Sequence, residues 1–129
     1  MSEPNYPTKT WIRERFDYWQ KRLLLQHWDI NLYITDSKSV DEDENVGNAN
    51  ANPVYLMATV TIARKHTKDN VDATIVHELG HVITSDFVRK VRQLDLNENM
   101  KSMVRDMNEN LVSQFANILM KIEEQHAAK

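Results

Sequence analysis

The chain has 129 residues, a net charge of −3 and no cysteine; its length suits one domain with its own core, and the lack of thiols excludes disulfides, thiolate zinc sites and a cysteine nucleophile. Apolar residues form 41% of it and charged residues 27%, proportions of neither a disordered nor a membrane protein, and no apolar run approaches the roughly 20 residues of a bilayer span. The charge balance, with no basic cluster along the sequence, argues against nucleic acid as a partner.

The opening MSEPNYPTKT has no basic stretch followed by an apolar segment, so no secretory leader is expected and the cytoplasm is the expected location. TKTWIRERFDYWQKRLLLQH then sets Trp11, Ile12, Phe16, Trp19 and Leu23 at helical spacing behind Pro7 and Thr8, which predicts an amphipathic first helix. WDINLYI alternates from Trp28 through Ile30, Leu32 and Ile34, the period of a half-buried strand. Residues 36–53, DSKSVDEDENVGNANANP, are acidic and Asn-rich, and read as a mobile solvated loop that exchanges its amides fast and can be shortened at little cost. VYLMATVTIARK reads as a second strand.

Helical periodicity returns in VDATIVHELGHVITSDFVRKVRQL, with Ile75, Leu79, Val82, Ile83 and Phe87 as its core stripe and Asp72 as its N-cap. A third helix is predicted from about Asp95 to about His126, capped by Asp95 and Glu98, with Met100, Met103, Met107, Leu111, Val112 and Phe115 among its apolar positions. No repeat and no internal boundary interrupts residues 1–129, so one domain is expected.

Within the second of these helices, IVHELGHVI places two histidines four apart and a glutamate beside the first. Residues at that spacing share a helix face, about 5–6 Å apart at Cβ, so His77 and His81 can converge on one ion at Zn–N distances of about 2.0–2.1 Å. Glu78 is turned about 100° from His77. It can therefore stand beside the ion's open position and take a proton from water instead of ligating, which is the logic of H-E-x-x-H in zinc peptidases. The flanking Thr74, Ile75, Val76, Leu79, Gly80, Val82 and Ile83 carry no charge and keep such a site dry. The competing readings are two histidines with no metal and a structural zinc without turnover. His27, His66 and His126 are not expected as ligands.

A catalytic zinc needs a third protein ligand. The extended motif H-E-x-x-H-x-x-G-x-x-H is excluded by Thr84 and Phe87, so the ligand is sought among Glu98, Asp106, Glu109, Glu123 and Glu124 of the last helix. If the last two helices form an antiparallel hairpin turning near residues 93–95, equal rises of about 1.5 Å per residue bring Glu109 level with Leu79, between the two histidines. Asp106 is nearly level and stays as the second candidate, without the apolar flank that Val112 and Ala116 give Glu109.

With His77, Glu78, His81 and Glu109, the chain resembles the minigluzincins, very small single-domain zinc peptidases, and is most similar to the phage-encoded kind. The resemblance runs through the leading helix, HWDINLYI, VYLMATVTIA, TIVHELGHVI and ENLVSQFANIL. It implies a small zincin-like α+β domain: an N-terminal helix, a short antiparallel sheet, the motif helix, and a C-terminal helix that supplies Glu109 as third ligand. It further implies a zinc metalloendopeptidase whose peptide or protein substrate lies extended along the strand before the motif helix, in the host cytoplasm where the protein is phage-encoded. Two neighbouring families share these features. SprT-like proteases of DNA–protein crosslinks carry a cysteine-rich module and basic segments that this chain lacks; phage metallopeptidases that promote repressor cleavage carry a similar glutamate helix. The alternative reading is therefore a zinc-stabilised interaction or repressor-regulating module without general peptidase activity. Tyr55 and His66 are the candidates for a transition-state hydrogen-bond donor.

Overall fold

The computed structural model describes residues 6–41, 45–65 and 68–127. Three helices and three strands follow in the order α1 (Lys9–Arg22), β1 (Asp29–Thr35), β2 (Gly47–Asn52), β3 (Met57–Ala63), α2 (Lys68–Arg92) and α3 (Glu98–Ala127). The class is α+β, as expected.

Thr8 starts α1 from an extended backbone, its Oγ1 accepting the Trp11 N–H at 3.1 Å, and Ile12, Phe16 and Trp19 turn one face into the core. The helix stops before the expected end at His27 because the chain closes on itself: Leu25 N–H donates to Gln20 O at 2.9 Å and Leu24 N–H to Lys21 O at 3.1 Å. That closure needs a left-handed residue, and Leu24 takes φ 60°. A left-handed conformation costs a residue with a Cβ about 1–2 kcal/mol, and Leu24, 75% exposed, recovers little by packing. Leu24→Gly is thus expected to raise stability by about 0.5–1 kcal/mol, after the larger chain entropy of unfolded glycine is subtracted. A urea midpoint that failed to rise would show that Leu24 is held by contacts rather than strained.

The sheet has the order β1-β3-β2. It is mixed, not antiparallel: β1 runs parallel to β3, and β2 antiparallel to it. The segment expected to be a loop supplies β2, whose burial alternates with Gly47, Ala49 and Ala51 half-buried and Asn48, Asn50 and Asn52 exposed. Register explains why so polar a segment pairs. Ile30, Ala58 and Ala51 stand in one row, Leu32, Val60 and Ala49 in the next, Ile34, Ile62 and Gly47 in the third, so the small residues of β2 extend the core face while its asparagines join the solvated one. Shortening the chain across 47–52 would remove a strand, contrary to the low cost expected of a loop.

α1 and α2 are tied by Asp72. It is not the N-cap of α2, which begins at Lys68; its Oδ1 accepts from Arg15 Nε at 2.7 Å and from the indole Nε1 of Trp19 at 2.8 Å. Partly buried polar groups of three residues are satisfied together. α3 likewise starts from Asn97 rather than Asp95, the Asn97 Oδ1 accepting the Met100 N–H at 2.9 Å.

Ile75, Leu79 and Val82 are fully buried as expected, whereas Ile83 and Phe87 are exposed. On α3 the difference is larger. Val112 and Ala116 are buried, but Met100, Met103, Met107 and Leu111 face outward, Met107 being 66% exposed. The reason lies at Gly80, where a Cβ would stand 2.9 Å from Val112 Cγ1. α3 seats its Val112 side on the bare backbone of α2, and the methionine stripe, roughly a third of a turn away around α3, is left outside.

Candidate metal centre

Every residue of the centre follows from this hairpin. α2 presents His77 and His81 one turn apart on the side facing α3, and α3, running back after the 93–97 connection, brings Glu109 opposite them. His81 Nε2 lies 3.2 Å from His77 Nε2, Glu109 Oε1 3.0 Å from His81 Nε2, and Glu109 Oε2 3.4 Å from His77 Nε2. Asp106 is exposed and joins no such group, and Glu98 sits on the same groove wall further toward the turn, beside Lys101 at 3.7 Å. Glu109, the residue that counting helical rises ranked first, is the carboxylate that stands beside the two histidines.

Hydrogen bonds can join these groups pairwise, the Nε2–Nε2 contact among them, but not all three approaches are met at once. With one proton on each Nε2, both rings donate to Glu109 but aim hydrogens at each other; with one of them unprotonated, its lone pair faces a carboxylate oxygen. A cation at the centre satisfies all three lone pairs together. Ligands at about 2.0–2.1 Å from a tetrahedral ion stand about 3.3 Å from one another, which is the size of the triangle found. His77, His81 and Glu109 can hold a metal ion.

Glu78 is the one buried charged side chain of the described core, 6% exposed. It packs beneath β2: a Cβ at residue 47 would stand 2.8 Å from Glu78 Oε2. Burial first, and the neighbouring Glu109 charge second, push its pKa from 4.5 up to about 7. Desolvation holds His77 below the usual histidine value, against the opposing pull of Glu109. It thereby favours the neutral imidazole that ligation requires.

A carboxyl whose folded pKa lies above its unfolded one is stabilising or neutral only while protonated, so the cost of Glu78 appears as pH rises above about 4.5 and is complete beyond about 7. Glu78→Gln should therefore stabilise the metal-free protein by about 3 kcal/mol at pH 8 relative to its effect at pH 4. Thermal melts across that range in a chelator check this, and parallel curves for the two proteins would refute the buried ionisation.

The groove above these residues runs between β2 on one side and α3 on the other, with α2 as its floor. β2 is an edge strand, paired on one side only, and its backbone borders the groove. β3, the strand expected at the cleft edge, is instead central, because β2 takes the outer place. Tyr55 does not reach the centre; it stands exposed on the turn between β2 and β3. His66 lies outside the described residues. Sequence reasoning missed Gly47, which roofs Glu78, and Asn108, whose buried Oδ1 has no partner among the described residues. The strict alternation of GNANAN was the available signal for Gly47; nothing marked Asn108.

Among the described residues no helix is long and apolar enough to cross a membrane. In comparison with known proteins, no family, no curated protein and no solved structure matches this chain.

Proposed function

We propose that the chain is a zinc metallopeptidase of minigluzincin type, with His77, His81 and Glu109 as ligands and Glu78 as general base. The observation that carries this reading is the donor triangle, sized for a tetrahedral ion, with the buried Glu78 carboxylate next to it in sequence and on the same groove. Zinc bound there would polarise a carbonyl and make a water molecule acidic enough to attack at neutral pH. The chain's own residues do the rest. Glu78, held near neutrality by burial, accepts the water proton and returns it to the departing amine, a task suited to a group that titrates near working pH. The outer edge of β2 offers N–H and C=O groups to an extended peptide, which fixes the substrate above the centre by strand addition.

The test is a peptide-library digestion with protein loaded to one zinc per chain. Cleavage products are expected by mass spectrometry, and a chelator should abolish them. One tightly bound zinc without any product would leave a metal-stabilised module and exclude the peptidase.

A further inference from the structure

The sequence offers only a short basic run, Arg89, Lys90 and Arg92 at the end of α2, and folding extends it. Arg89 and Arg92 from α2, and Lys101 and Arg105 from α3, line the same groove as the metal centre, in a chain whose net charge is −3. Arg89 is paired with Asp86 at 2.9 Å and Lys101 approaches Glu98 at 3.7 Å. Arg92 and Arg105 make no ion pair among the described residues. The C-terminal dipole of α2 accounts for Arg89 and Arg92, since cations are favoured there. It does not account for Lys101 and Arg105, which stand about one and two turns into α3, away from any helix C-terminus.

The placement is directional. Arg89 and Arg92 lie eight and eleven residues beyond His81, and Arg105 and Lys101 four and eight before Glu109; in an antiparallel hairpin all four displacements point toward the turn. At about 1.5 Å per residue the cations stand about 6 to 16 Å from the centre along the groove. An extended peptide covers that distance in roughly two to five residues. Resting on the peptidase reading for what occupies the groove, we propose that it selects substrates carrying Asp or Glu two to five residues from the scissile bond, on the side facing the α2–α3 turn, with Arg92 and Arg105 as specificity residues. Nucleic acid is the poorer occupant, because Glu78, Glu98 and Glu109 share the lining and would repel a continuous run of phosphates.

The experiment measures binding, not turnover, so that it stands apart from the peptidase reading. Fluorescein-labelled twelve-residue peptides carrying a block of four Asp, four Asn or four Lys are titrated, by anisotropy, into zinc-loaded full-length protein bearing Glu78→Gln. The Asp peptide should bind about tenfold tighter than its Asn isostere, and the gap should close at 0.5 M salt. Adding Arg92→Glu and Arg105→Glu should remove or reverse the preference, while Lys38→Glu with Lys121→Glu, exposed positions away from the groove, should keep it. Equal binding of the Asp and Asn peptides, no binding of any peptide to folded protein, persistence of the preference in the double arginine variant, or tighter binding of a single-stranded oligonucleotide would each overturn the proposal. The same peptides are then offered to the unsubstituted protein. An acidic preference in binding without cleavage would refute the peptidase and leave this assignment of the groove standing; cleavage without preference would do the reverse.

Discussion

Glu78→Gln is expected to lower peptide hydrolysis by at least about a hundredfold, the usual scale for a general base, while zinc stays bound. The side chain keeps its volume in a pocket where Gly47 leaves no room for a larger one, so the metal triangle is undisturbed. What is lost is a group that accepts a proton. Gln also removes the charge that burial makes costly, so the inactive protein should be the more stable of the two in metal-free form at pH 8. Lost activity with gained stability is a signature that misfolding cannot produce. Hydrolysis that survived the substitution, with purity checked by active-site titration, would end the role assigned to Glu78.

The second large effect falls on the metal itself. Glu109→Ala should weaken zinc by well over a hundredfold, since even groups that only support a ligand change affinity about 10–100-fold, and activity should fall as a consequence. Glu109 is half exposed, so the melting temperature of the metal-free protein should barely change. Glu98→Ala should leave zinc in place. Affinity should also fall on acidification, because protons compete with the ion for imidazole nitrogen; desolvation of His77 delays that competition to lower pH. Competition against a chromogenic chelator measures all of these. Stripping of the metal by the Glu98 change and not by the Glu109 change would break the pairing of α2 with α3 described above.

The residues of the centre were readable because helical arithmetic is rigid: His77 and His81 follow from the spacing of four, and Glu109 from equal rises about one turn. The sheet was less readable. β2 has no large apolar residue, and its alternation of Asn with Gly and Ala carries the strand period in size rather than in hydrophobicity. The faces of α3 were misjudged for a related reason. The Met100, Met103, Met107 and Leu111 stripe is the more apolar one, but packing followed the small residue Gly80, which admits Val112 to close contact. Sequence shows how apolar each face is; it does not show where two backbones can approach. The basic groove wall was legible only in half, because Arg89 and Arg92 are neighbours on α2 whereas Lys101 and Arg105 join them across the turn from α3.

Gly80 has a further consequence for the ion. It stands in the same helix turn as His77 and His81 and touches the residue three places beyond Glu109, so the gap between α2 and α3 at this point sets how far the third ligand must reach. A coordination bond tolerates errors of about 0.2 Å, and a methyl group at residue 80 would demand a displacement of a few tenths of an ångström from Val112 Cγ1 at 2.9 Å. The two tolerances are of the same size. Whatever ion His77, His81 and Glu109 hold, its fit therefore depends on a side chain that is absent: an alanine at 80 would press on Val112 and alter the spacing of α2 and α3 beside the triangle.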